Sequence, residues 1–282
     1  MNRPTFLQFT LFLFLLSGCS SVNERVEKAD FLAMEHGFQK SIIKTKDFLL
    51  MTYIRFQKEG FSVSVYIEGD GYAYAGRHRV SSNPTPKNPM GLKLALVDTF
   101  PNVIYIARPC QYVPIKDNPN CHQDYWTTKR YASEVMDATN EAINILKHKL
   151  GFKQIRLIGY SGGGTVAAIL AATRNDVVDL RTVAGNLDIE LFARHHEVTP
   201  LTGSMNPIDF ADTLINIPQI HFVGENDDII TRPITESYIN NLKKYDVNLR
   251  CVKVHQIKNA SHAEGWETEW QRYVDEVVEC KR

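Results

Sequence analysis

Gly159-Tyr160-Ser161-Gly162-Gly163 sets a serine between glycines where an apolar run, Ile155 to Ile158, meets an alanine-rich one, Gly162 to Thr173. Glycines on both sides let a strand turn sharply into a helix, which lifts the hydroxyl clear and aims the helix N-terminus at the reacting atoms. The five-residue pattern is weak alone, and its place between strand and helix gives it weight. A serine hydroxyl is a poor nucleophile at its own pKa and needs a base that a carboxylate orients. Two later segments supply such groups in the order serine, acid, histidine. Gly224-Glu225-Asn226-Asp227-Asp228-Ile229-Ile230 follows the run Gln219 to Val223, and Asn259-Ala260-Ser261-His262-Ala263 follows the last apolar run. Both lie just past the carboxyl ends of strands, where ligand sites of open α/β sheets form.

Nine histidines compete for the role of base. His255 and His221 fall inside strands and His148 near a helix end. His36, His78 and His122 sit in polar segments, and His195-His196 in a long inter-strand segment that could line a pocket. Position alone singles out His262. A developing oxyanion also needs donors. The backbone N–H of Gly162 is one, and the loop Glu68-Gly69-Asp70-Gly71 offers the other from Asp70 or its neighbours. A carboxylate beside an oxyanion would repel it, so the Asp70 side chain is expected to point away or to be hydrogen-bonded elsewhere.

The elements that must position these groups alternate. A hairpin is predicted from Phe38 to Thr45 and Phe48 to Phe56, then a strand over Ser62 to Ile67, a Pro-rich loop over 81–89 and a short helix from Leu92 to Thr99. A β-branched strand, Val103 to Ala107, precedes a helix from Thr128 to Leu150 that Gly151 closes. Strands at Ile155 to Ile158 and Leu180 to Val183 follow. Gln219 to Val223, Ile234 to Tyr245, Cys251 to Ile257 and Gly265 to Cys280 continue as strand, helix, strand, helix, and the last carries a stripe of Trp266, Trp270, Tyr273 and Val277. The expectation is an α/β fold: a doubly wound, mostly parallel eight-stranded sheet with helices on both faces and no second domain boundary.

Lys and Arg total 32, Asp and Glu 32, and 44% of the 282 residues are apolar, which excludes disorder and makes nucleic acid an unlikely partner. There is no His-Glu-x-x-His, no Cys-x-x-Cys, no phosphate-binding loop and no dinucleotide fingerprint, so neither metal nor cofactor is expected. At the N-terminus, Arg3 precedes a short apolar run ending in Leu16-Ser17-Gly18-Cys19, too short for a stable bilayer span. Leu-Ser-Gly-Cys resembles the lipobox of bacterial lipoproteins. That resemblance implies a signal peptide over 1–18, several acyl chains on Cys19, a polar tether over 19–37 and the main domain over 38–282. Ser20 follows in place of Asp, which goes with sorting to the outer membrane, facing the periplasm. Four cysteines then remain. In an oxidising envelope Cys110 is expected to pair with Cys121 across a polar loop, and Cys251 with Cys280 between the last strand and helix.

From about residue 38 onward the chain resembles the α/β-hydrolase fold superfamily. The resemblance implies Ser161 as nucleophile, His262 as base and Asp227 as acid, ahead of Asp228 and then Glu225. Asp227 stands three residues after the strand-closing glycine and before an Ile pair. Asp70 and Gly162 become the oxyanion donors. Many relatives have His-Gly where this chain has Glu68-Gly69. Tyr-Ile-Glu-Gly-Asp-Gly, Ala-Arg-Pro-Cys-Gln-Tyr and Pro-Leu-Thr-Gly-Ser-Met-Asn-Pro look like stretches of proteobacterial lipoprotein-type serine hydrolases. The implied activity is cleavage of an ester, thioester or amide of a small acyl substrate, through an acyl-serine. The alternative is an envelope binding protein that keeps the fold without turnover.

Overall fold

The computed structural model describes residues 21–76 and 79–280. Cys19, the signal peptide over 1–18 and His78 lie outside the described residues.

Eight strands form one sheet. Along the chain these are β1 (Gln39–Lys44), β2 (Leu49–Phe56), β3 (Val63–Ile67), β6 (Asn102–Ile106), β7 (Ile155–Tyr160), β8 (Val177–Val183), β9 (Gln219–Gly224) and β10 (Val252–Ile257). A small separate hairpin, β4 (Tyr74–Gly76) with β5 (Arg79–Val80), follows β3. The spatial order is β1-β2-β6-β3-β7-β8-β9-β10. β2 is antiparallel to both neighbours, and every pairing from β6 through β10 is parallel. The central strands β3, β6 and β9 are buried throughout, as strands covered on both faces must be.

Alternation along the strands divides the core in two. Val65, Ile67, Ile104 and Leu157 pack with α3 (Ser133–Leu150), α4 (Gly162–Thr173) and α6 (Ala211–Leu214). Tyr66, Tyr105, Ile158 and Phe222 pack with α1 (Val22–Glu35), α2 (Met90–Leu96) and α8 (Trp266–Tyr273). Two more helices, α5 (Ile189–His195) and α7 (Arg232–Lys243), lie between β8 and β10 in the chain. Both expected disulfides, Cys110–Cys121 and Cys251–Cys280, are formed.

Several elements differ from expectation, and α5 and α6 occupy a stretch for which no helix is expected. The segment read as a tether is helical from residue 22. Ser21 and Glu24 form a reciprocal capping box, and Ala29 and Ala33 are buried at an i,i+4 spacing that polar composition hides. The hairpin β4–β5 was not foreseen. α3 begins at Ser133 instead of Thr128, because Arg130 and Tyr131 turn toward Asp70. α8 stops at Tyr273. Arg181 Nη1 donates to the carbonyls of Tyr273 and Val274 at 2.8 and 2.7 Å, diverting acceptors that would continue the helix. Val277 is therefore exposed, and Val274 and Val278 take its place in the core.

Candidate active site

Ser161 occupies the turn between β7 and α4 with φ 51° and ψ −122°, a conformation that costs energy for any residue with a side chain. Its surroundings hold it there. Its N–H donates to the Val183 carbonyl at 2.9 Å, and its carbonyl accepts from the N–H groups of Gly164 and Asn186 at 2.9 and 3.1 Å. The glycines are sterically required: a Cβ at Gly159 would strike the Gly163 carbonyl, and one at Gly163 the Ile67 carbonyl. The strand end of β3 thus packs directly against the elbow.

His262 Nε2 lies 3.1 Å from Ser161 Oγ, and its Nδ1 lies 3.0 Å from Asp227 Oδ2 and 3.2 Å from Oδ1. Hydroxyl to Nε2 and Nδ1–H to carboxylate is the tautomer a serine nucleophile needs. Asp227 is fully buried, and its Oδ1 accepts from the N–H groups of Ile229 and Ile230 at 2.9 and 2.8 Å. Asp228 is exposed, while Glu225 accepts the Asn259 N–H at 3.0 Å and so braces the loop that carries His262. Of the three acids, Asp227 is the one within hydrogen-bond reach of His262. Tyr160 Oη and Trp266 Nε1 donate to the His262 carbonyl at 2.7 and 3.1 Å, fixing the histidine's backbone.

The other histidines stand apart from this line. Burial pushes His221 down to about 3, and its ring bonds Thr182 and Gln219 inside the core. His255 meets Glu276, and His196 Nε2 donates at 2.7 Å to the carbonyl of Ile229, a residue of the cleft wall.

The loop after β3 forms the opposite side. A Cβ on Gly69 would come within 3.2 Å of Ser161 Cβ. Gly162 opens α4, so its N–H has no intrahelical acceptor. The Asp70 carboxylate packs against Gly162, where a Cβ would come 2.1 Å from its Oδ1, and is hydrogen-bonded there: Arg108 Nη1 donates at 3.2 Å, and Arg130 Nη1 and Tyr131 Oη each donate at 2.8 Å. Burial by itself would raise this carboxyl, but the two guanidiniums outweigh it and hold it below the usual carboxylate range. Arg108 also donates to the Arg130 carbonyl, closing the clasp. Glu68, where many relatives have histidine, accepts from the N–H groups of Gly69, Gly91 and Leu92 at 2.9, 3.0 and 3.3 Å and from Tyr105 Oη at 3.0 Å. It ties the loop to the start of α2. Without a cation beside it, burial keeps its carboxyl above the ordinary range.

Sequence reasoning missed Arg108, Arg130 and Tyr131. Arg108 had a usable signal, since it stands at the carboxyl end of β6, beside the site. Tyr131 falls inside the helix expected from Thr128 to Leu150, and Arg130 carries no local signal.

Ser161 and His262 open into a cleft of about 410 Å³ walled by Tyr72, Tyr74, Lys87, Arg130, Phe192 and Ile230 among others. No protein-family model and no curated protein matches the sequence. Solved structures do. An esterase of Pyrococcus furiosus superposes with a TM-score of 0.58 at 13% identity, over 85% of this chain and 90% of that one. A bacterial membrane phospholipase A gives 0.56 at 12% identity over 89% of each chain. An acylaminoacyl peptidase of Pyrococcus horikoshii gives 0.59 at 10% identity, covering 87% of this chain and 42% of that one. With this strand order and these matches, the chain has the fold of the α/β-hydrolase superfamily.

Proposed function

We propose that this protein is a serine hydrolase, lipid-anchored in the cell envelope through Cys19, that cleaves an ester, thioester or amide of a small acyl substrate. The observation that carries the reading is the hydrogen-bonded line from Ser161 Oγ through His262, at 3.1 Å, to Asp227, at 3.0 Å. Ser161 Oγ attacks the carbonyl carbon while its proton passes to His262 Nε2, and Asp227 holds the imidazolium. The oxyanion accepts from the N–H groups of Gly162 and Asp70. Collapse expels the leaving group with the proton from His262 and leaves acyl-Ser161. Water then gives a proton to His262 and attacks in turn, releasing the acid and restoring the serine. An esterase, a phospholipase and an acylaminoacyl peptidase share the fold, which favours reaction at an acyl carbon. The anchor rests on the Leu16-Ser17-Gly18-Cys19 sequence, and outer-membrane placement facing the periplasm on Ser20.

A fluorophosphonate probe tests the reading on the soluble form that begins after Cys19. Labelling that disappears in Ser161→Ala supports it. A folded protein that takes no label is a binding protein instead. A panel of acyl esters, thioesters and aminoacyl amides then ranks the substrates. Metabolic labelling with a fatty acid, lost in Cys19→Ala, tests the anchor.

A further inference from the structure

The charges on the cleft wall are unequally answered. Glu68 is spent on three amide N–H groups and the Tyr105 hydroxyl. Asp70 is shared by Arg108 at 3.2 Å and Arg130 at 2.8 Å, one carboxylate against two guanidiniums, and Arg130 itself lines the cleft. Lys87 adds a second cation. Its side chain is exposed, its Nζ lies 3.9 Å from the centroid of the Tyr72 ring, and it has no acidic partner among the described residues. Tyr72 is a cleft residue too, so the ammonium is held at the wall by the ring's negative face. Asp227, the next carboxylate, is fully buried behind His262 with its Oδ1 turned to backbone amides. The lining stretches 71–74 and 86–88 agree, since they hold no Asp or Glu and Lys87 is their one charged residue. A cleft with unanswered charge of one sign focuses its field on whatever enters.

We propose that the substrate cleaved at Ser161 carries an anionic oxyacid group, a carboxylate or phosphate, which Lys87 and the Arg108–Arg130 pair attract to the same cleft as the scissile carbonyl. This rests on the hydrolase reading and adds a substrate class to it. Lys87 acts on binding of the charged group, and Asp70 keeps its partner guanidiniums in place beside it.

Two matched pairs of reagents test it. The first is the monoadipate and hexanoate esters of one fluorogenic alcohol. The second is a pair of fluorophosphonates, one ending in a carboxylate and one in a methyl group, which read the same preference at Ser161 without turnover. At low ionic strength the anionic member of each pair is expected to react faster by about tenfold, from one charge pair a few ångströms apart in a partly wet site. The ratio should fall toward one in high salt. Lys87→Glu should lower it by about tenfold or more, while Lys87→Arg should keep it. An anionic-to-neutral ratio at or below one, or a ratio indifferent to salt and to Lys87→Glu, overturns the inference. A folded protein that reacts with neither fluorophosphonate overturns the hydrolase reading instead, so the two failures are distinct.

Discussion

The two sides of the cleft are built by different means. On the Ser161 side, Ser161, Asp227 and His262 each sit one short turn beyond a parallel strand, and the sheet brings β7, β9 and β10 into place. Their contacts are neutral or singly charged hydrogen bonds aimed by backbone geometry. On the side of the loop after β3, Asp70 is held by Arg108, Arg130 and Tyr131, which come from a loop after β6 and from the turn before α3. There a buried ion cluster does what strand order does across the cleft. The difference teaches that damage on the first side should be chemical, whereas damage on the second should reach chemistry through stability.

His262→Ala is the largest break expected. In the proposed mechanism it removes the base from a unit whose members act together, and kcat should fall by about 10⁶-fold with little change in Tm. Asp227→Asn keeps the shape but inverts the hydrogen bonding at Nδ1, so kcat should fall by about 10⁴-fold. Asp228→Asn, an exposed neighbour, should leave kcat within about twofold, as surface substitutions commonly do. Equal losses in the two would refute the choice of acid.

Across the cleft, Asp70→Asn leaves two buried guanidiniums without a counter-charge. It should cost about 3 kcal/mol of stability, read by denaturant unfolding, together with a fall in kcat of about 10²-fold. A loss of kcat with unchanged stability would erase the contrast. The pH dependence has a definite sign. The Asp70 carboxyl is depressed in the folded state, so its contribution is fully present above the ordinary carboxylate pKa and is lost as pH falls through the lower folded value. Wild type should therefore lose stability in acid more steeply than Asp70→Asn.

A smaller effect than that of Asp70→Asn is expected from the Cys110→Ser, Cys121→Ser pair. The bridge closes a separation of 11 residues, for which the chain-entropy model gives about 2–3 kcal/mol. Gln111, inside that loop, donates to the Gly69 carbonyl at 3.0 Å and accepts the Arg108 N–H at 3.1 Å. Loosening it should lower kcat only a few-fold, by letting the loop that carries Asp70 drift. The comparison here is with the distant Cys251→Ser, Cys280→Ser pair, which should lower Tm and leave kcat alone.

Legibility follows the same division. The strands, the closing Gly151 and the elbow glycines were readable because alternation, a left-handed cap and crowded turns leave local marks. Both disulfides were readable from position. α1 was misread because its apolar contacts are alanines, which look like tether composition. The true start of α3 was hidden because Tyr131 satisfies a helical spacing while its hydroxyl is drawn to Asp70. The stop of α8 depends on Arg181, more than ninety positions earlier in the chain.

Local sequence was thus enough for the parallel sheet, the serine on its turn, the histidine after the last strand and the order in which they occur. Each depends on residues within one turn of one another. Which of three acids faces His262, and what secures Asp70, were decided only by the folded chain. Asp227 and Asp228 are adjacent and chemically alike, and only burial against the Ile229 and Ile230 amides directs one carboxylate at the imidazole. The clasp joins side chains as many as 61 positions apart, and contacts of that span leave no periodicity to read.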